Sequence, residues 1–216
     1  MNLFLIRHAE SVQNTGETKQ TKVPDHEVYL TEKGKTQATD CGLFLKNFCK
    51  VNNLDLQKSL IFTSPYVRTR QTTTFINQNL NIEKVVEDIL LIEIQFGVFD
   101  NEHFENYEKL LPVEGKYFNQ LYNSKGRFFA KFPQGESIFD VAVRTRLFLQ
   151  QIEKAKNNGV ENVFIVSHGF TLKALLLCLF NKPYEWFFEE KKLENCGIKL
   201  IEITENNLID KGVIYN

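Results

Sequence analysis

Two histidines and two arginines occupy positions from which they could handle a phosphate group. Arg7 and His8 directly follow the short apolar run Leu3 to Ile6, and Arg68 and His168 come soon after two further runs of this kind. A dianionic phosphate needs fixed positive charge and several hydrogen-bond donors, which the planar fork of arginine supplies. A neutral imidazole can attack phosphorus while a second histidine and the arginines neutralise the other oxygens. This set therefore predicts phosphoryl-transfer chemistry.

A carboxyl group for proton transfer is the remaining requirement. The leaving alkoxide needs a proton and an attacking water must later lose one, so a single carboxyl can serve both half-reactions. Glu93 is the natural candidate, since it lies among the apolar residues Leu90, Leu91, Ile92 and Ile94.

The apolar runs predict the strands that position these residues. Leu3 to Ile6, Leu60 to Phe62 and Val163 to Val166 are short and continuous, which is typical of strands buried on both faces of a parallel sheet. Ile198 to Ile203 is predicted as a last strand. Each of the first three runs is followed by chemistry-bearing residues and then by a helical pattern.

Four helices are predicted from capping residues and apolar spacing. Thr31 is a plausible N-cap for the first, Ser64-Pro65 begins a second that runs to about Gln78, and Ser137 with Asp140 resembles a capping box for the third. The fourth runs from Gly169 and stops before Pro183. The alternation predicts an α/β fold with a mostly parallel central sheet, helices on both faces, and the site at the carboxyl ends of the strands.

Residues 97–135 interrupt this alternation. They are rich in Phe and Tyr, interleaved with charges and without a clean period, and we interpret them as a lid inserted over the site. Most of these aromatic residues are expected to form the lid's own core, and some could contact an apolar part of a substrate. With no linker in the sequence, residues 1–216 are predicted to form one domain.

The ordered motifs resemble the histidine phosphatase superfamily, which has the phosphoglycerate mutase-like fold. The resemblance runs nearly end to end and rests on Arg7-His8-Ala9-Glu10-Ser11 with Asn14, Leu30-Thr31-x-x-Gly34-x-x-Gln37-Ala38, Ser64-Pro65-x-x-Arg68, Glu93-x-x-x-Gly97, Pro133-x-Gly135-Glu136-Ser137 with Arg144, and Ser167-His168-Gly169. Each motif alone is weak evidence, whereas the ordered set is highly specific.

The resemblance implies a role for each of these residues. It identifies His8 as the phosphorylated nucleophile, Glu93 as the acid and base, and Arg7, Arg68 and His168 as the phosphate pocket. Asn14 and the Gly169 amide are implied as further phosphate contacts. The implied activity is phosphomonoester hydrolysis through a phosphohistidine.

Two segments and two departures refine the resemblance. Pro24-Asp25-His26-x-Val28-x-Leu30-Thr31 and Gly126-Arg127-Phe128-Phe129 resemble the plant and fungal phosphoglycerate mutase-like phosphatases. Ile94 and Phe170 occupy positions where glycolytic mutases usually carry arginine and asparagine, so the resemblance favours a phosphatase. A mutase, or a catalytically silent protein that binds phosphorylated ligands, is the alternative.

The composition excludes several other classes of function. The net charge is −1 without a basic tract, so neither nucleic acid nor an anionic membrane is an expected partner. The substrate is expected to be a phosphorylated small molecule, with a phosphoprotein and a homodimer left open. The four scattered cysteines are expected to be reduced core residues, and with no signal sequence a cytoplasmic protein is predicted.

No cofactor and no metal are expected. His-x-His, His-Glu-x-x-His and Cys/His ligand spacings are missing, and the arginines would repel a cation. Taken singly, His8 would be interpreted as a structural histidine without a catalytic role. Arg68 taken singly would be interpreted as a solvated or ion-paired arginine. His26 is a candidate for the site entrance, and His103 has no assigned role. Specificity is expected to lie in the lid and in residues 15–29.

Overall fold

The strand β1 (Asn2–Arg7) lies inside a six-stranded sheet of the computed structural model, which describes residues 1–15, 23–100 and 107–216. The other strands are β2 (Ser59–Thr63), β3 (Val85–Glu87), β4 (Asn162–Ser167), β5 (Ile198–Ile203) and β6 (Leu208–Tyr215). Their order is β3-β2-β4-β1-β5-β6. The first four are mutually parallel, and β5 and β6 are antiparallel to their neighbours. The mostly parallel α/β fold predicted from the sequence is confirmed.

Four long helices connect these strands, and a fifth lies in the predicted lid. They are α2 (Glu32–Val51), α3 (Val67–Leu80), α5 (Pro112–Lys125), α6 (Ile138–Asn157) and α7 (Gly169–Leu179). Short helices α1 (Val12–Thr15), α4 (Tyr107–Leu110) and α8 (Trp186–Glu189) complete the α-helical set of the described residues. None of the helices in this part of the chain is both long and apolar enough to span a membrane.

Two of the predicted helix caps are confirmed and one is wrong. The Thr31 side chain accepts a hydrogen bond from the Gly34 amide, and Ser137 forms the predicted capping box with Asp140. Ser64-Pro65 does not begin a helix, since α3 starts at Val67 with Tyr66 as its N-cap. The Ser64 hydroxyl lies 2.9 Å from His168 Nε2 and its oxygen also accepts from the Tyr66 amide at 3.4 Å, so it joins the site to the residue before α3.

Alternation along the central strands fills a core on each face of the sheet. Phe4 and Ile6 of β1 pack towards α2 and α3, whereas Leu3 and Leu5 pack towards α6 and α7. Phe4 stacks on Phe164 of β4, with ring centroids 4.6 Å apart. All four cysteines are buried and unpaired, as expected. The carboxyl ends of β1, β2 and β4 are thereby fixed at one edge of the sheet.

A close backbone contact joins α2 to the segment after His8. A Cβ atom added to Gly34 would lie 2.0 Å from the carbonyl oxygen of Glu10, and the Thr31 amide donates to that same oxygen at 3.1 Å. Only a residue without a side chain fits there. This contact fixes the path of the chain two residues beyond the predicted nucleophile.

We expect Gly34→Ala to lower the free energy of unfolding by about 1–3 kcal/mol, because the backbone of Glu10 must shift to make room. Urea unfolding measures the change. Asn47→Ala, at an exposed position of the same helix, is the control and should stay within about 0.5 kcal/mol of the parent. A Gly34→Ala protein as stable as the control would show that the contact relaxes freely.

Candidate active site

The predicted site residues meet at the carboxyl edge of the sheet. Arg7 ends β1 and His8 follows it, Arg68 lies in the first turn of α3, and His168 is the N-cap of α7. Glu93 follows a 3₁₀ turn (Ile89–Leu91) beyond β3. A cleft of about 230 Å³ at this edge is lined by Arg7, His8, Gln13, Asn14, Asp25, Arg68, Glu93, Phe96, Gly169, Phe170 and Lys192.

His8 is held as a neutral imidazole with one nitrogen occupied. Its ring is buried, and Nδ1 lies 2.7 Å from the carbonyl oxygen of Ala9. Because a carbonyl only accepts, Nδ1 carries the proton and Nε2 keeps its lone pair. Burial, followed by the charge of Arg68, lowers the pKa of His8 well below its usual value. The described residues supply no hydrogen-bond partner for Nε2, so this nitrogen is available as a nucleophile.

Arg7 brings a guanidinium whose hydrogen-bonding capacity is not used up. One of its terminal nitrogens donates to the carbonyl of Leu193 at 2.8 Å, which fixes the side chain. Its Nε is buried and has no hydrogen-bond partner among the described residues. A buried donor without a partner is costly, so the geometry favours an anion at this position.

Arg68 is almost completely buried, and each of its three nitrogens is engaged. Nε donates to His168 Nδ1 at 3.3 Å. One terminal nitrogen donates to the backbone carbonyl of Asp25 at 2.5 Å, and the other donates to an Asp25 carboxylate oxygen at 3.3 Å. The charge of this buried guanidinium is therefore balanced by an aspartate to which the sequence analysis gave no role.

His168 contacts Arg68 through one ring nitrogen and Ser64 through the other. Since arginine only donates, His168 Nδ1 accepts from Arg68, and its Nε2 then donates to the Ser64 hydroxyl. Burial and the charge of Arg68 lower the pKa of His168 well below its usual value. The two histidine rings lie 5.2 Å apart between centroids. His168 does not line the cleft, and its contact with phosphate remains a prediction.

Glu93 lies at the N-terminus of α7 and faces the cleft. Its carboxylate oxygens accept hydrogen bonds from the amides of Phe170 at 3.3 Å and Thr171 at 3.2 Å, while the Thr171 hydroxyl donates to the Ile92 carbonyl. The predicted acid and base is thus tied to the same helix that His168 caps. Gly169 lines the cleft, as predicted for a phosphate contact.

Asn14 reaches the cleft through a local turn. Its side-chain oxygen accepts from the Ser11 amide at 3.0 Å and from the Asn195 side chain at 3.2 Å. These bonds consume the oxygen and leave the amide nitrogen as the group that could face an anion. The role of Asn14 in phosphate binding remains a prediction.

A second, larger cavity adjoins the cleft. Its volume is about 410 Å³, and it shares Phe96 and Phe170 with the cleft. The other lining residues are Ile94, Phe118, Asn119, Tyr122, Arg127, Ala130, Phe132 and Ile138. Most of these belong to the predicted lid, whose described residues also form a hydrophobic cluster around Phe99, Phe118 and Ala130. Part of the lid, including His103, lies outside the described residues.

Two charged residues of the cleft were missed in the sequence analysis. Asp25 belongs to the noted Pro24-Asp25-His26 segment, but nothing in that pattern shows that its carboxylate reaches Arg68. Lys192, in the loop before β5, has its ammonium 3.8 Å from the centroid of Phe170. No local signal marks Lys192, because only the tertiary fold brings it to the cleft. His26 is exposed, with its ring 6.5 Å from that of Tyr66.

The described residues contain no cluster of three or more histidine, cysteine, aspartate or glutamate side chains that could hold a metal ion. The charge of the cleft comes instead from Arg7, Arg68 and Lys192 on one side and Asp25 and Glu93 on the other.

The sequence matches the histidine phosphatase superfamily (branch 1) over residues 3–210. The chain therefore belongs to this superfamily, and the family predicted from the ordered motifs is confirmed.

Proteins from a plant and a bacterium are similar in sequence to most of this chain. Phosphoglycerate mutase-like protein AT74 of Arabidopsis thaliana is 30% identical over 216 residues, covering 94% of this chain and 64% of AT74. The chain thus spans just under two thirds of that relative. Phosphoserine phosphatase 1 of Hydrogenobacter thermophilus is 30% identical over 180 residues, covering 83% of this chain and 76% of that protein. The resemblance to plant phosphoglycerate mutase-like proteins is confirmed.

Solved structures show the same fold. The alpha-ribazole phosphatase from Shigella flexneri superposes with a TM-score of 0.78 at 19% identity, covering 99% of this chain and 96% of that one. At this level of identity the similarity concerns the fold alone.

We expect the acidic limb of the pH profile of kcat/KM to fall well below pH 6.5. A neutral imidazole is the form that can attack phosphorus, and a lowered pKa keeps His8 neutral as the solution becomes mildly acidic. Activity should be lost only as the pH falls through this lowered pKa. Hydrolysis of an aryl phosphate between pH 4 and 8 provides the profile, with circular dichroism confirming the fold at each pH. An acidic limb whose half-loss of kcat/KM lies at pH 6.5 or above in folded protein would contradict the neutral state assigned to His8.

Proposed function

We propose that this protein is a phosphomonoesterase that hydrolyses its substrates through a phosphohistidine on His8. The observation that carries the proposal is the pairing of a neutral His8, whose Nε2 keeps its lone pair, with the buried and unpartnered Nε of Arg7. The first is a nucleophile and the second is a donor that an anion would satisfy. Adjacent in sequence and lining one cleft, they suit a substrate phosphate.

In the proposed complex, Arg7 and Arg68 hold the phosphate oxygens by charge-assisted hydrogen bonds. Asn14 and the Gly169 amide add neutral donors. His168 accepts a hydrogen bond from Arg68 Nε and thereby orients the guanidinium. These donors then stabilise the negative charge that the phosphoryl oxygens carry in the transition state.

The first half-reaction transfers the phosphoryl group to the enzyme. His8 Nε2 forms a bond to phosphorus while the bond from phosphorus to the ester oxygen breaks. Protonated Glu93 gives its proton to that oxygen, and the alcohol leaves. The Ala9 carbonyl, hydrogen-bonded to Nδ1, supports the positive charge that the imidazole gains.

The second half-reaction returns the enzyme to its starting state. Glu93 takes a proton from a water molecule, whose oxygen attacks phosphorus as the bond to His8 breaks. Inorganic phosphate leaves, His8 is again neutral, and Glu93 again carries a proton. The position of Glu93 at the cleft suits both transfers.

Hydrolysis is favoured over a mutase reaction by the apolar groups beside the cleft. Ile94 is buried, and Phe170 contributes a ring to the cleft wall. A mutase must hold its phosphorylated product for a second transfer, and neither side chain offers a polar group for this. The adjoining cavity, lined largely by aromatic residues, suits an aromatic or other apolar leaving group.

We expect His8→Ala to abolish phosphate release, with a loss of at least about 10³-fold in kcat. The reason is that the variant lacks the nitrogen that accepts the phosphoryl group in the proposed mechanism. Phosphate release from a panel of phosphomonoesters, including an aryl phosphate, measures this. Asn47→Ala, at an exposed position of α2 that does not line the cleft, is the control and should retain activity. Substantial release by folded His8→Ala protein would refute the phosphohistidine route. No release by wild type would favour the mutase or the silent binding protein.

We expect Glu93→Gln to reduce kcat by about 10²–10⁴-fold while His8 still becomes phosphorylated. An aryl phosphate has a good leaving group, so the first step needs little proton transfer, whereas the attack of water still needs a base. Acid-labile label from a ³²P-labelled aryl phosphate should therefore accumulate on His8. Glu83→Gln, at an exposed position, is the control. Unchanged turnover in Glu93→Gln would remove Glu93 from this role.

A further inference from the structure

The Pro24-Asp25-His26 segment places a carboxylate on the arginine that the proposed reaction needs. Asp25 begins a three-residue 3₁₀ turn (Asp25–Glu27) beside the cleft. One carboxylate oxygen lies 3.0 Å from a terminal nitrogen of Arg68, and the other accepts a hydrogen bond from the second terminal nitrogen at 3.3 Å. Two oxygens of one anion thus face the two terminal nitrogens of the guanidinium fork.

This arrangement is the one that a phosphate would take on Arg68. A fork binds two oxygens of a carboxylate or of a phosphate in the same way. The Nε of Arg68 is bonded to His168, and the side chain is only 2% exposed. A substrate phosphate can therefore form a bidentate pair with Arg68 only where the Asp25 carboxylate now lies.

The surroundings of Asp25 allow its carboxylate to be displaced. The carboxylate oxygen nearest Arg68 is buried without a hydrogen-bond partner among the described residues, so the ion pair is its main attachment. The 3₁₀ turn has no side-chain cap. Burial, followed by the charge of Asp25, raises the pKa of Asp100 to about 6, so the two carboxyl groups repel one another. Repulsion from a second carboxyl weakens the hold on Asp25 further.

We propose that Asp25 is an internal competitor of the substrate phosphate for Arg68, and that it sets the affinity of the site for phosphate groups. This inference rests on the proposed function, because it takes the cleft to be a phosphate site. In the unliganded enzyme Asp25 neutralises the buried guanidinium. When phosphate binds, the carboxylate leaves Arg68, and when product departs it returns. Phosphate affinity is then weaker than the two arginines alone would give, which favours release of inorganic phosphate.

The test is the affinity for inorganic phosphate in Asp25→Asn protein. Asparagine keeps the size and one oxygen but loses the charge, so it competes less well for Arg68. We expect the Kd for phosphate, by isothermal titration calorimetry, and the KM for an aryl phosphate to fall about five- to tenfold. A residue that merely positions Arg68 would give the opposite result, because its loss weakens phosphate binding.

The matched control is Glu27→Gln. Glu27 lies on the same 3₁₀ turn and its side chain is 60% exposed, so the variant removes the same charge without touching Arg68. Its Kd for phosphate should stay within about twofold of wild type, since an exposed charge is well screened. Equal tightening in both variants would show a general charge effect and overturn the competition. An unchanged or higher Kd in folded Asp25→Asn protein would overturn it as well.

A second measurement does not depend on the variant. A crystal structure of wild-type protein with vanadate in the cleft should show the Asp25 carboxylate beyond 4 Å from Arg68, and a retained ion pair beside the bound vanadate would overturn the inference. The proposed function fails separately. Wild type that neither binds phosphate nor hydrolyses any ester would refute the function, whereas wild type that does both, without tightening in Asp25→Asn, would refute only the role of Asp25.

Discussion

The buried charge of Arg68 is the constraint around which the site is built. A guanidinium removed from water needs donors satisfied and charge balanced, or its burial is too costly. In this protein His168 accepts from its Nε and Asp25 balances its charge. The same charge, added to burial, keeps both histidines neutral. Burial and this one cation together keep the proposed nucleophile neutral, and the cation also orients the second histidine.

The fold brings polar groups from separate strands to the carboxyl edge of the sheet, where they surround this buried charge. β1, β4 and β2 are adjacent and parallel, so the residues that follow them meet at the same end of the sheet. α7 contributes twice, because His168 caps it while its first amides bind Glu93. The proposed nucleophile, the buried cation and the proposed acid are thus fixed relative to one another by backbone elements rather than by flexible side chains alone.

Local signals in the sequence were sufficient for the elements that carry the site, and insufficient for contacts between distant segments. Continuous apolar runs identified the central strands because both faces of those strands are buried. β3 was missed because it has three residues and all are exposed, and β6 because its burial pattern is mostly exposed. The local pattern at Ser64 predicted a helix cap and did not show that its hydroxyl contacts a histidine 104 residues away. Asp25 was unassigned for the same reason, as its partner lies 43 residues further along the chain.

The two ends of the predicted lid are held together by backbone and side-chain contacts. The Gln95 and Glu136 backbones pair at 2.8 Å, and the Glu136 side chain accepts from the Gln95 amide at 3.0 Å. Arg144 of α6 binds that carboxylate at 2.8 Å and the Leu90 carbonyl at 2.7 Å. Gly97, with φ of +62°, passes so close to Pro133 that a Cβ would lie 2.1 Å from its carbonyl oxygen.

These contacts tie both ends of the lid to the segment that carries Glu93. The contacts that close the base of the lid do not involve the residues between its two ends. Substitutions within the lid can therefore change the lining of the cavity without moving the segment that carries Glu93. The aromatic lining of the adjoining cavity lies largely inside this closed segment, whereas Arg7, His8, Arg68 and Glu93 lie outside it. The lining of the adjoining cavity and the residues proposed for phosphoryl transfer therefore belong mostly to separate parts of the chain, which meet at Phe96 and Phe170.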